Sequence, residues 1–422
     1  MNELSDHLFR QESGRMVAAL TRLFGVHNFA LAEDVVQDAF CRAMEVWKFR
    51  GVPDNPAAWL MTTAKNKALD VLRRERTART FAPELGRLLE SEWTLAPVVE
   101  EFFGAQSIQD DMLRMMFSCC HPRLSEDVQI ALILNVLCGF SAGEVAGAFV
   151  SGLAAMEKRI TRGKKALASA KRLFDLADGE VQERLTAVQR ALYLLFNEGY
   201  HGASPESAVR ADLCREALRL TRLLTQHPLT ATPSTLALSA LMCLHAARLD
   251  ERTDASGQLK SLFEQDRSRW NAALIAEGQH FLELSATGAE LSEYHLEAGI
   301  AAVHAHASSP ESTDWGAIIS LYDTLLTFRP SPVIALSRAV AVAQRDGPER
   351  GIEQIHAIAQ TERLASYPFL AAALGELELR LHHTAAAAEH FRQARKLARN
   401  PMERKFFSQR LAFADEQSLQ RP

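Results

Sequence analysis

The sequence predicts an all-α protein: two small helical domains, the second a helix-turn-helix, joined by an acidic linker and followed by a helical array. Three observations predict it. Apolar residues recur at three- and four-residue spacing along most of the chain, the signature of amphipathic helices. Ala and Leu dominate, aromatics are only 7%, and long alternating runs of β-branched residues are absent. At 422 residues, 47% of them hydrophobic, the chain is too long for one typical domain and apolar enough for several cores. Net charge is −5, so any affinity for a polyanion must come from local patches.

Residues 8–77 read as the first domain. Met16, Leu20 and Leu23 share one helical face. Leu31, Val35, Ala39, Phe40, Met44 and Trp47 form the apolar side of the next helix, whose other side shows Glu33, Asp34, Gln37, Asp38 and Arg42. Pro53 and Pro56 bracket a turn. A third helix starting near Asn55 or Pro56 passes from Trp59 and Leu60 through Lys65 and Asn66 to Arg73, Arg74 and Arg76. It changes from apolar to basic along its length. Residues 62–79 carry six basic and two acidic groups, whereas 80–111 carry one basic and seven acidic groups. We read 78–111 as an acidic linker, with Trp93, Phe102 and Phe103 as points where it docks.

Residues 112–173 read as the second domain. Ile130, Leu134 and Leu137 predict a helix over Asp127 to Cys138, stopped by Gly139, which takes the left-handed C-terminal conformation cheaply. Ser141 with Glu144 is a capping box, so a short second helix begins there and buries Val145, Ala146 and Phe149. Ser151-Gly152 ends it. A third helix from Leu153 has Ala154, Ala155, Ile160 and Leu167 for packing. Between Leu153 and Leu173 there are seven basic residues and one acid, Glu157. A basic helix after a tight turn suits the DNA major groove, with Lys and Arg gripping phosphates.

These motifs carry a resemblance. Ala32 to Phe40, AEDVVQDAF, resembles the core-polymerase-binding helix of bacterial sigma factors of the sigma-70 family. Asn55-Pro56-Ala57-Ala58-Trp59-Leu60 with Ala64-Lys65-Asn66 and Asp70-Val71-Leu72-Arg73-Arg74 resembles their −10-reading helix. Gly139-Phe140-Ser141-x-x-Glu144-Val145-Ala146 resembles their −35-reading helix-turn-helix. Nothing resembles the additional domains of housekeeping sigma factors, so the likeness is to the extracytoplasmic-function type. It implies core RNA polymerase and promoter DNA as partners. It implies Asp34, Gln37 and Asp38 as polymerase contacts. Lys65, Asn66, Arg73 and Arg74 would serve at the −10 element, and Glu157, Lys158, Arg159, Arg162 and Lys165 at the −35 element. The acidic linker would enter basic polymerase channels.

Beyond residue 180 the chain reads as a helical extension domain, 180–290, and then a repeat region, 291–415. Arg190–Tyr200, Asp212–Leu220 and Leu236–Arg248 are dense helices. With Gln265–Trp270 they resemble the domain attached to a tetratricopeptide-bearing group of sigma factors. Asn197, Glu198, Asp212 and Arg215 are polar residues among apolar ones, suited either to a ligand pocket or to buried ion pairs. Gly375, Ala387, Phe391 and Ala394 have tetratricopeptide spacing. Tyr322, Leu325 and Pro330, and then Arg338–Ile358 turning at Asp346-Gly347-Pro348, fit further units. Stacked helix pairs offer a concave surface for a protein or small-molecule effector.

Other classes are disfavoured. Cys41, Cys119, Cys120, Cys138, Cys214 and Cys243 form no C-x-x-C pair, as expected of a reduced, cytoplasmic protein. Cys119-Cys120-His121 has no partner cluster at ligand spacing, so no metal and no cofactor is expected. No apolar run approaches the ~20 residues that span a bilayer. No catalytic constellation points to an enzyme. The rival reading is a one-component helix-turn-helix activator with a ligand-sensing array, which leaves the first 77 residues without a role.

Overall fold

The computed structural model describes residues 2–24, 28–74, 105–148, 152–168, 178–201, 209–255, 257–288, 290–359 and 361–419. Trp93, Phe102, Phe103 and most of the acidic linker lie outside the described residues, as does Phe149. The described residues form α-helices with no strand, apart from one isolated antiparallel bridge between Thr253 and Leu259. The chain divides into two compact units, Met1–Leu195 and Phe196–Pro422.

In the first unit, α1 (Asn2–Phe24), α2 (Phe29–Arg50) and α3 (Pro56–Arg74) pack on one another. The core holds Met16, Leu20, Phe24, Val36, Phe40, Trp47 and Leu60. Trp47 and Trp59 meet edge to face at 5.5 Å. Asn55 accepts the Ala58 N–H at 3.0 Å and Pro56 opens α3, so cap and first-turn proline together fix where the helix starts. Met44, placed by spacing on the apolar side of α2, is instead 51% exposed. The buried stripe runs through Ala32, Val36, Ala39, Ala43 and Trp47, and Met44 falls off its edge.

Next, α4 (Ala105–Cys119) takes in the end of the segment read as linker. Its Asp111 is buried and accepts from Arg22 of α1 at 3.0 Å, so this acid is a structural ion pair rather than part of a solvated tether. Burial pushes the Cys120 thiol up to about 12 and Cys119 higher than usual too, so both are inert packing groups. The helix-turn-helix follows as α5 (Glu126–Leu132), α6 (Ala142–Ala148) and α7 (Leu153–Ala168). From α5 the chain continues into a π-helical stretch, Ile133–Leu137, in place of the uniform α-helix expected to Cys138. Gly139, at φ +67°, then ends it as its residue type predicts. Helix α8 (Asp178–His201) begins in this unit.

In the second unit, α9 (Ala211–Gln226), α10 (Pro233–Ala246) and α11 (Ala272–Ser285) precede a run of packed helices. These are α12 (Glu293–His306), α13 (Trp315–Phe328), α14 (Pro332–Asp346), α15 (Pro348–His356), α16 (Pro368–Arg380), α17 (Thr384–Leu397) and α18 (Pro401–Leu419). Each packs on its successor in sequence. Gly375 is needed where α16 meets α17, because a Cβ there would lie 2.9 Å from the Phe391 ring. Arg267 ties α12 to the loop after it, donating to the carbonyls of His304 and Ala307 and to the Thr313 hydroxyl at 3.0–3.1 Å.

Candidate nucleic-acid interface

The helix-turn-helix is built by three local devices. Glu144 and Ser141 close the capping box in both directions: the Ser141 N–H donates to Glu144 Oε2 at 2.9 Å and the Glu144 N–H to Ser141 Oγ at 3.2 Å. Asn135 Nδ2 donates to the Phe140 carbonyl at 2.6 Å and holds the turn. Gly163 lets α7 lie close on α5, since a Cβ there would come 2.9 Å from Leu132 and Val128 side-chain atoms. The buried face of α7 is Met156, Ile160, Gly163 and Leu167. Ala154 and Ala155, expected to pack, are exposed, because the burial stripe starts one residue later at Met156.

This fixes what α7 offers outward. Lys158, Arg162 and Lys165 stand at i, i+4 and i+7 on one exposed stripe, with Glu157 beside Lys158. Arg159 turns aside, its guanidinium 3.9 Å from Asp127. Lys164, which the sequence reading did not single out, reaches across to Glu33 of α2 at 2.6 Å. Burial raises the Glu33 carboxyl above its usual range against the opposing pull of Lys164. A helical-wheel projection separates Lys164 from the 158–162–165 stripe, but only the tertiary contact reveals its partner.

On the other side of this unit, Asp34, Gln37 and Asp38 are exposed along α2. Asp38 also meets Lys67 of α3 at 2.7 Å. Asn66 is exposed, while Arg73 and Arg74 lie in α3 with side chains outside the described residues. Lys65 departs from expectation. It is buried, 6% exposed, on the stripe with Met61, Ala68 and Leu69, and desolvation holds its ammonium below the usual lysine range. Its position one turn from Met61 and Leu69 is the signal that marks it as inward-facing.

Three α-helical contacts bring this face and the helix-turn-helix into one body: Gly14 on Leu137, Arg22 with Asp111, and Glu33 with Lys164. No group of three or more His, Cys, Asp or Glu able to hold a metal occurs among the described residues, and no helix among them is long and apolar enough to cross a membrane.

Comparison with known proteins adds to this geometry. Residues 8–78 match the family model for sigma-70 region 2. Residues 184–286 match a family of unknown function (DUF6596). An uncharacterized protein of Rhizobium meliloti (strain 1021) is 38% identical over 398 residues, covering 94% of this chain and 92% of the relative. No solved structure matches the chain.

Proposed function

The chain belongs to the sigma-70 family, and from that premise we propose that it is a transcription initiation factor of the extracytoplasmic-function type that brings core RNA polymerase to particular promoters. The observation that carries the proposal is the match of residues 8–78 to sigma-70 region 2, followed in order by a capping-box helix-turn-helix with an outward basic stripe. In this reading α2 meets the polymerase through Asp34, Gln37 and Asp38. Asn66, Arg73 and Arg74 engage the −10 element. Lys158 and Arg162, flanked by Glu157 and Lys165, engage the −35 element. Arg hydrogen-bonds guanine edges or phosphates, Lys grips phosphates, and Glu accepts from cytosine N4. The polymerase supplies the chemistry, so no catalytic group is required of this chain. The helices after Phe196, with tetratricopeptide-like packing at Gly375 and Phe391, act as a regulatory scaffold.

The test is transcription in vitro with purified core polymerase and host DNA, with start sites mapped. Discrete starts that depend on the protein support the proposal; none at any concentration rejects it. Copurification with core polymerase separates this reading from that of a one-component activator.

Two expected results follow for the surfaces. Asp34→Arg with Asp38→Arg reverses two exposed charges without touching the core. Association with core polymerase should weaken by about tenfold, or ~1.4 kcal/mol, at unchanged helicity. Equal capture of polymerase by the double variant would remove α2 as the docking helix. On α7, Lys158→Ala should weaken binding to all promoter sequences and lower the salt slope by about 1. Arg162→Ala, if it reads a base, should cost about 1–3 kcal/mol and relax one position. Titrations over salt distinguish the two roles, and no effect from either variant would make the stripe a merely solvated face.

A further inference from the structure

The second unit holds a cavity of about 890 Å³ between the packed helices and the segment 259–264. That volume lies in the range of small-molecule sites, roughly 300–1,000 Å³. None of Asn197, Glu198, Asp212 and Arg215 lines it; Asp212 instead pairs with Arg210 at 3.4 Å. The sequence reading therefore sought a pocket in the right half of the chain but at the wrong residues.

The wall has two characters. Phe263, Trp315, Tyr322, Tyr367, Phe369 and Phe406 supply aromatic surface from elements far apart in sequence. One end is cationic. Arg248 and Arg252 both face the cavity and both lie over the Tyr200 ring, at 5.9 and 4.1 Å. Arg248 also stacks on Trp270 at 5.4 Å and donates to the neutral amide of Gln265 at 3.1 Å. Among the described residues no carboxylate comes within ion-pair distance of either guanidinium.

The other charges of the cavity are accounted for. Arg410 pairs with Glu376, Arg399 with Glu403, Lys260 with Glu251, and Glu264 accepts the Ser261 N–H. Buried polar atoms remain without partners at the cationic end: Arg252 Nε and His304 Nδ1. Leaving such atoms unpaired costs about 1–3 kcal/mol each, so their place on a cavity wall points to a ligand that pairs with them. Burial and the adjacent arginines push the His304 imidazole down to about 3, so it stays neutral at physiological pH and the positive charge belongs to the arginines.

We propose that this cavity binds a small organic anion, its anionic group held by Arg248 and Arg252 and its apolar body among the aromatic side chains. A bare inorganic ion would leave the aromatic wall unused, and an uncharged hydrophobe would leave two arginines unneutralised. Binding here makes the scaffold a sensor, which deepens the regulatory part of the proposed function. The binding itself does not depend on the transcription reading, and it is tested without polymerase.

The probes are 1-anilinonaphthalene-8-sulfonate and its uncharged counterpart N-phenyl-1-naphthylamine, titrated by fluorescence into the full chain. The sulfonate should bind the wild type more tightly than the uncharged probe. Arg252→Met should weaken the sulfonate by about tenfold and leave the uncharged probe within about twofold. Val340→Trp, which fills the cavity from α14, should remove both. Arg252→Lys keeps the charge and should retain most sulfonate affinity, which separates lost charge from a folding defect. The proposal is overturned if Arg252→Met weakens both probes alike while Arg252→Lys does the same. It is also overturned if Val340→Trp, folded by circular dichroism, still binds the sulfonate as the wild type does.

Discussion

A chain that ends at Arg172 is expected to lose promoter-directed transcription. The reason lies in α8, which belongs to the first unit as far as Leu195. Leu185, Val188, Leu192 and Leu195 are buried along it. The buried Arg184 guanidinium donates to the Phe117 carbonyl at 3.2 Å, next to the end of α4, and Arg190 pairs with Glu126 at the start of α5 at 3.1 Å. Burial of a Val or Leu side chain stabilises by about 1.5–3 kcal/mol, so four of them weigh as much as the ~5–15 kcal/mol stability of a whole domain. A chain ending at His201 keeps the helix. It should unfold at a higher temperature than the Arg172 chain and recover promoter binding. Run-off transcription on a mapped promoter, with thermal unfolding of each chain, checks this. Equal activity of the Arg172, His201 and full-length chains would mean that α8 and the scaffold neither support nor restrain initiation.

Gly14→Ala is expected to be the most destabilising single-methyl change in the first unit. A Cβ at Gly14 would sit 2.2 Å from the Leu137 carbonyl oxygen and 2.8 Å from Leu137 Cα. Both obstacles are backbone, which cannot rotate away as a side chain can. The π-helical stretch and α1 must then separate, at a cost at the upper end of the about 1–3 kcal/mol typical of overpacking, or beyond it. Urea unfolding measures the loss directly. Wild-type stability in this variant would show that α1 does not rest on the helix-turn-helix in solution.

The helical character of the chain was legible because helix signals are local: the Ser141–Glu144 box, the Asn55 cap and the Gly139 and Gly347 stops all act where their residue types place them. The outward stripe of α7 was legible for the same reason. Lys65 was misplaced because a basic residue was weighted above its position on the wheel, although a lysine can bury its stem and head on an apolar stripe when neighbours leave room. The cavity was not legible at all. Its cationic end joins Arg248 and Arg252 to His304, and its aromatic wall gathers Phe263, Trp315 and Phe406, so only the stacking of distant helices brings them together. The Glu33–Lys164 pair, 131 positions apart, is hidden in the same way.

The π-helical stretch Ile133–Leu137 also changes how this chain should be aligned with others. An α-helix advances roughly 100° per residue, and a π turn accommodates one residue more than an α turn over nearly the same rise. The stretch therefore behaves as a single-residue insertion absorbed inside a helix. Against a helix-turn-helix whose first helix is regular, a gap belongs between Leu132 and Cys138. Without it, Gly139, Ser141 and every position of α7 would be matched one residue out of step, and a side chain that reads DNA in one protein would be equated with one that packs in the other.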